Sequence, residues 1–286
     1  MARPILRFAP SPNGFLHLGH AYSALMNEAV ATRLGGAVLL RLENIDTVRC
    51  RPDYEVAIVE DLRWLGFRPS DAILRQSDRL PAYRAVLRRL ADRGLVYPCF
   101  CTRGSIARAI DGCPDWPRDP DGAPLYPGTC RALPLAERRA RLAAGEPAAF
   151  RLDLGRAWAE TDGALFWDEF GESSERVRRA AHPEAWGDAL LARKDIGTSY
   201  HLAAVTDDAA QGVTNVVRGA DLLEATSLHR LLQVLLGFAA PSYHHHRLIL
   251  DGSGRKLSKS VGSPALRDLR HEGATPDDVR RQLGFP

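Results

Sequence analysis

Residues 11–20, SPNGFLHLGH, set His17 and His20 three positions apart with Gly19 between them. If a helix starts there, both imidazoles lie on one face, because positions i and i+3 are neighbours on a helix surface. Gly19 has no Cβ, so a ligand can approach the backbone closely. The first turn of a helix also offers unpaired N–H groups and about half a positive charge. These features together suit a phosphate chain. Near the far end stands KLSKS, residues 256–260. Its two ammonium groups and two hydroxyls, in a Gly-flanked loop, have the chemistry to hold the outer phosphates of a triphosphate and stabilise departing pyrophosphate. Lys194, Lys256 and Lys259 are the only lysines in a chain that otherwise uses arginine. An ammonium is a compact point charge and a guanidinium is a planar fork, so KLSK reads as a chemical choice.

The cysteines form a third group. Cys99, Cys101, Cys113 and Cys130 cluster, and Cys50 stands apart as an ordinary thiol. With no export-type leader, a metal site or reduced thiols fit better than a disulfide framework. Cys99, Cys101 and Cys130 are zinc-ligand candidates. The fourth is Cys113 or Tyr126, and donor chemistry alone favours the thiolate of Cys113. Residues 244–246, HHH, resemble a metal cluster at first. On a strand, adjacent side chains alternate faces, so the three cannot converge, and they read as structural or RNA-facing.

The elements that must position these groups follow from periodicity. Residues 5–9 (ILRFA) read as a short buried strand, residues 17–34 as a helix stopped by Gly35 and Gly36, and residues 37–43 (AVLLRLE) as a second strand. That strand–helix–strand order implies a parallel sheet with a right-handed crossover. Pro52 opens a second helix that ends at Gly66, and residues 81–94 read as a third. Periodicity is lost from Pro98 to Pro134, which reads as a loop-rich insert held by metal. Residues 149–154 and 164–170 look like connecting strands. Residues 199–237 read as strand, loop, strand, helix, a second half of the sheet. A short polar helix closes the chain.

The chain has 286 residues, 45% of them hydrophobic and 26% charged, which is the composition of a globular protein. No apolar run approaches the ~20 residues of a membrane span. The N-terminus is too short and Pro-interrupted for a signal peptide. A cytoplasmic monomer with no membrane contact is expected. A net charge of +3 is weak evidence for nucleic-acid binding. The expected fold is α/β, a doubly wound Rossmann-type parallel sheet. Its first half is 1–97, its second half 195–238. Between them lies an inserted connective region, 98–194, with a metal module at 98–134. A short helical stem, 239–286, carries the KLSKS loop.

HLGH early and KLSKS late on this framework resemble the two signatures of class I aminoacyl-tRNA synthetases. RFAPSPNGFLHLGHA, LLRLENID, Cys-x-Cys, YPGTC, SYHLAAVTDD, VVRGADLL and KLSKS occur in the order of the glutamyl-tRNA synthetase catalytic domain, from residue 3 to about residue 266. The resemblance implies that Arg7, Ala9, Ser11, Glu43, Tyr200 and Arg218 bind L-glutamate, with Arg7 on a carboxylate and Glu43 on the α-ammonium. It implies that His17, Gly19, His20, Lys256 and Lys259 bind ATP, with His17, His20 and Lys259 as the catalytic groups and Mg2+ on the ATP oxygens. It implies one structural Zn2+ per chain on Cys99, Cys101, Tyr126 and Cys130, so Tyr126 displaces Cys113 as the expected fourth ligand. Asn44 stands where the family has Asp, which is expected to loosen the support behind Glu43.

Only some 26 residues follow Ser260. A full glutamyl-tRNA synthetase continues there into a body that reads the anticodon, so the chain resembles the truncated paralogues of that family, the glutamyl-Q tRNA(Asp) synthetases. These activate glutamate without tRNA and transfer it to queuosine in the anticodon of tRNA(Asp). The rival readings are another H-x-G-H adenylyltransferase, a non-catalytic tRNA-binding paralogue, and the catalytic half of a tRNA(Glu)-charging enzyme.

Overall fold

A computed structural model describes residues 3–171, 175–250, 257 and 264–285. Strand β1 (Ile5–Phe8), helix α1 (Leu18–Leu34) and strand β2 (Ala37–Leu42) form the expected unit, with β1 and β2 parallel from Ile5 opposite Ala37 to Phe8 opposite Leu40. Helix α1 stops at Gly35, whose φ of 61° is left-handed. A Cβ on Gly36 would lie 2.7 Å from Pro4 O, so the close turn into β2 needs glycine. Helix α2 (Pro52–Trp64) begins on its proline and leads to strand β3 (Leu74–Arg75), which pairs parallel with β2. Helix α3 (Leu80–Asp92) follows.

The inserted region has its own antiparallel sheet. Strand β5 (Ala149–Leu152) lies between β4 (Val96–Cys99) and β8 (Leu190–Ala192). The segment read as loop-rich contains helix α4 (Arg103–Ala109), capped reciprocally by Thr102 and Ser105. It is one short turn-rich helix with no buried residue, so no apolar stripe announces it. Helices α5 (Leu135–Ala143) and α6 (Leu154–Ala159) complete the region, and the hairpin of β6 (Phe166–Phe170) and β7 (Arg176–Ala180) follows α6.

Residues 200–210 correct the sequence reading. They form helix α7 (Tyr200–Ala210), not a strand. Ser199 caps it by accepting from Leu202 N. Leu202, Ala203, Ala204 and Val205 are all buried, so the helix lacks the polar face that reveals helical period. Strand β9 (Asn215–Gly219), helix α8 (Ala225–Leu236) and strand β10 (Ser242–His246) complete the second half, and β10 pairs parallel with both β9 and β6. Helices α9 (Leu266–His271) and α10 (Pro276–Leu283) close the chain.

The halves meet where β1 lies beside β9, with Thr214 N donating to Ile5 O at 2.9 Å and Ile5 N to Thr214 Oγ1 at 2.9 Å. Sheet order reverses there, and such a switch point opens a crevice at the strand ends. Period-2 alternation sends Leu6, Phe8, Leu40, Leu42, Val217 and Phe170 into one core with α1 and α2. Ile5, Val216, Tyr243 and Trp167 enter the other, with α3, α7 and α8. Arg7, Arg41, Arg218, His245 and Glu169 therefore fall on the α7–α8 face, towards the strand ends.

Candidate active site at the switch point

A row of charged side chains inside an apolar sheet is costly unless each is paired. Arg7 is 4% exposed and Arg41 is fully buried. Both donate to one oxygen of Asp208 on α7, Arg7 Nε at 3.0 Å and Arg41 Nη1 at 2.7 Å. Burial alone would raise the Asp208 carboxyl, but the two guanidiniums outweigh it and hold the group below its usual range. Arg41 Nη1 also donates to Gln211 Oε1 at 3.1 Å, and its Nη2 lies 3.4 Å from Glu43 Oε1. Burial pushes the Glu43 carboxyl up, and the opposing pull of Arg41 and Arg7 leaves it raised. A cation placed at Glu43 would therefore be stabilised.

Arg218 is the complement. It is 5% exposed and forms no ion pair among the described residues. Its five hydrogen bonds go to neutral acceptors: His245 Nε2 at 3.2 Å, Tyr200 Oη at 3.2 Å, His229 Nδ1 at 3.3 Å, Leu222 O at 3.0 Å and Thr226 Oγ1 at 2.7 Å. A buried cation among neutral acceptors attracts an anion. Burial first, and then the Arg218 charge, lowers His201 to about 4 and holds His229 well below the usual histidine value. Tyr200 opens α7 among these charges. Burial raises its hydroxyl, and Arg218, Glu43 and Arg7 all act on it. Arg218 and Glu43 are thus groups of opposite sign that both act on Tyr200, while Arg7 is held in an ion pair with Asp208.

Glu43, Ser11, Tyr200 and His201 line a cavity of about 1040 Å3 that continues to Cys99 and Tyr126. Ala9 is half-buried beyond the end of β1. Ser11 Oγ lies 3.7 Å from Cys50 Sγ, and Cys50 reaches Glu43 O at 3.8 Å, so the cysteine read as ordinary stands at the site. Asn44 overturns its expectation. Its Nδ2 donates to Glu55 Oε1 at 2.6 Å and Ser77 Oγ at 3.0 Å, and its Oδ1 accepts from Ser77 N at 2.8 Å. An aspartate would set a second carboxylate against Glu55, so the surroundings of this position fit the amide.

His17 is the N-cap of α1. Its Nδ1 accepts from Gly19 N at 3.1 Å, and its backbone N donates to His20 Nδ1 at 3.2 Å. The rings lie 3.9 Å apart between centroids. A Cβ on Gly19 would meet His17 Cε1 at 3.0 Å, so this glycine makes room for the folded-back imidazole. With Nδ1 accepting, the proton of a neutral His17 resides on Nε2, which remains a donor. Lys256 and Lys259 lie outside the described residues. The chain beyond them returns to this helix start: Ala265 bridges to His17, and Leu266 N donates to Leu16 O at 2.8 Å.

The thiolate candidates also come together. One sulfur each of Cys99, Cys101 and Cys130 lies within 4.8 Å of the others, and Cys101 and Cys130 are 3.6 Å apart. Tetrahedral zinc with sulfur at ~2.3 Å sets its sulfurs about 3.8 Å apart, so the spacing fits. Tyr126 Oη is 3.3 Å from Cys101 Sγ and accepts from Cys130 N at 2.8 Å. Cys113 is exposed and outside the cluster among the described residues. Lys194, the remaining lysine, donates to Phe100 O at 2.7 Å and ties β8 to the Cys-x-Cys turn.

His244 and His246 are buried and the His245 side chain is 3% exposed, so the run is structural and not RNA-facing. His244 stacks on Phe170, His246 packs on Tyr22, and His245 faces Glu169 and Arg218. Sequence reasoning missed Arg41, Asp208, His229, His245 and Glu169. A signal existed for two: an arginine inside the apolar strand VLLRL, and an aspartate pair ending the apolar run LAAV.

Residues 5–282 match the family model "tRNA synthetases class I (E and Q), catalytic domain". The chain belongs to that family. This synthetase is 47% identical, over 98% of its length and 100% of the relative's, to a protein of Rhodobacter capsulatus named glutamyl-Q tRNA(Asp) synthetase. A protein of the same name from Nitratidesulfovibrio vulgaris is 42% identical, over 98% of this synthetase and 85% of the relative. Its fold matches the crystal structure of a glutamate tRNA ligase from Elizabethkingia meningosepticum in complex with its amino acid, with a TM-score of 0.80 and 26% identity. It covers 60% of that chain. This is the class I catalytic fold, with its parallel sheet and a cysteine cluster that could hold a metal.

Proposed function

We propose that the protein activates L-glutamate with ATP and transfers it to queuosine in the anticodon of tRNA(Asp). The observation that carries this reading is that Tyr200 accepts from the buried Arg218 and lines one cavity with Glu43, in a chain 47% identical to a glutamyl-Q tRNA(Asp) synthetase over that relative's whole length. Glu43 would hold the α-ammonium. Arg7 and Arg218 would take the two carboxylates, with Tyr200, Ala9 and Ser11 walling the pocket. Arg41 and Asp208 keep Arg7 in place, so the pocket is formed before substrate arrives. Such preorganisation lowers the cost of positioning.

A glutamate α-carboxylate oxygen then attacks the α-phosphorus of ATP, which enters as its Mg2+ complex, and the bond to pyrophosphate breaks. His17 Nε2–H, His20 and the backbone of Gly19 would neutralise phosphate charge at the start of α1, and Lys256 and Lys259 would stabilise the leaving pyrophosphate. Next, a hydroxyl of the queuosine diol attacks the activated carbonyl and AMP departs. The cavity that extends from Glu43 past Tyr126 gives an acceptor a route to the adenylate. Residues 1–97 read as the first half of the catalytic domain and 195–246, joined by β6, as the second, so the insert is shorter than 98–194 and the stem shorter than 239–286, because β6 and β10 pair within the catalytic sheet. Zinc would be held by Cys99, Cys101, Cys130 and Tyr126, and would there cross-link two loops that share a small core.

The test has two stages. Glutamate-dependent ATP–pyrophosphate exchange without tRNA is expected, followed by transfer of labelled glutamate to tRNA(Asp) that carries queuosine. Equal transfer to tRNA(Asp) lacking queuosine, or charging of tRNA(Glu) instead, would refute the modified-base reading.

A further inference from the structure

Arg218, His245 and Glu169 stand in a row across β9, β10 and β6. His245 is in register with Arg218, and Tyr243, two positions earlier on the same face, is in register with Glu169. His245 stacks on Tyr243 with ring centroids 5.9 Å apart and planes 2° from parallel. The hydrogen bonds fix the direction of the row. A guanidinium only donates, so His245 Nε2, 3.2 Å from Arg218 Nε, must accept. The proton of the neutral ring then lies on Nδ1, which donates to Glu169 at 2.9 and 3.0 Å. Glu169 is clamped in turn by His245 N at 2.8 Å and Trp167 Nε1 at 3.0 Å.

We propose that Glu169 is a positioning residue for amino-acid binding: it fixes the Nδ1–H tautomer of His245, which aims the Nε2 lone pair at Arg218 Nε and holds in place the guanidinium whose Nη groups a substrate carboxylate would take over from their neutral acceptors. This rests on Arg218 as a carboxylate-binding residue. A carboxylate in direct contact would occupy the fork and compete with substrate. Through a neutral imidazole, Glu169 orients the cation and leaves its charge for the ligand. Outer-shell carboxylates act on histidines in the same way at metal sites, fixing tautomer and ring orientation. Glu169 reaches Arg218 through His245, so its effect is expected on amino-acid binding.

Glu169→Gln is the test. An amide NH2 turned to Nδ1 favours the Nε2–H tautomer, which opposes Arg218 Nε–H donor to donor. Two readouts are needed: the 15N spectrum of His245, and KM and kcat in glutamate-dependent exchange. We expect Nδ1–H in the wild type, and in E169Q a glutamate KM raised about tenfold, with kcat and the ATP KM within about twofold. Glu169→Asp should restore part of the loss. Nε2–H in the wild type, an unchanged glutamate KM in E169Q, or equal losses for glutamate and ATP would overturn the proposal. If E169Q does not fold, the wild-type spectrum and the E169D constants decide. A wild-type protein with no glutamate-dependent exchange refutes the functional reading instead, and the spectrum still judges the row.

Discussion

Replacing Asp208 by Asn keeps its shape and removes its charge, and the consequence can be worked from the contacts. Asp208 Oδ1 holds Arg7 at 3.0 Å and Arg41 at 2.7 Å, with side-chain exposures of 8%, 4% and 0%. In D208N, Arg41 keeps Gln211 and the more distant Glu43, and Arg7 loses its ion pair. Stranding a buried charge costs about 3–5 kcal/mol. Since Glu43 remains beside Arg41, the lower end applies, about 3 kcal/mol against a typical total of about 5–15 kcal/mol. That corresponds to a fall in Tm of about 6–12 °C for a chain of this size.

The same carboxylate has a folded pKa below its ordinary value, so its stabilisation is complete above the unfolded pKa of about 4 and is lost as pH falls through the folded value. The gap between wild type and D208N should therefore be full at pH 7, still full near pH 5.5, and narrower below about pH 4. Urea unfolding of both proteins across that range, with equal m-values, measures it. A gap under about 1 kcal/mol at pH 7, or one that widens on acidification, would refute the reasoning.

Asn44→Asp should lower the urea midpoint by about 1–3 kcal/mol in stability and raise the glutamate KM, because it sets a carboxylate against Glu55 where the amide donates at 2.6 Å; an unchanged midpoint would contradict this. Zinc analysis should find about one ion per chain, lost with a chelator together with thermal stability, and Cys113→Ser should leave the zinc content unchanged. If Cys113→Ser empties the site while Cys130→Ser does not, the ligand set is wrong. His201 is held at about 4 by burial and Arg218, so it should remain neutral down to pH 5, and stability should decline between its unfolded value and about pH 4 as the unfolded chain takes up the proton. An NMR titration of His201 with a midpoint above pH 6 would contradict that.

The sequence by itself determined the elements that carry local punctuation. Pro52, Gly35 and Gly66 begin or end helices through their own backbone preferences, apolar residues at helical spacing gave α1, α2 and α3, and β1 and β2 were legible as short apolar runs because both faces of each are covered. His17 and His20 were legible because three positions on a helix start dictate a shared face. Tertiary structure alone decided α7, whose all-round burial erases its period, and Asn44, whose worth depends on Glu55 and Ser77 arriving from elsewhere in the chain. The polar row across the sheet was equally hidden. Arg41, Arg7, Arg218, His245 and Glu169 come from five strands spread from residue 7 to residue 245. Only strand order and register, set by how two cores bury their apolar faces, bring those charges within hydrogen-bond reach.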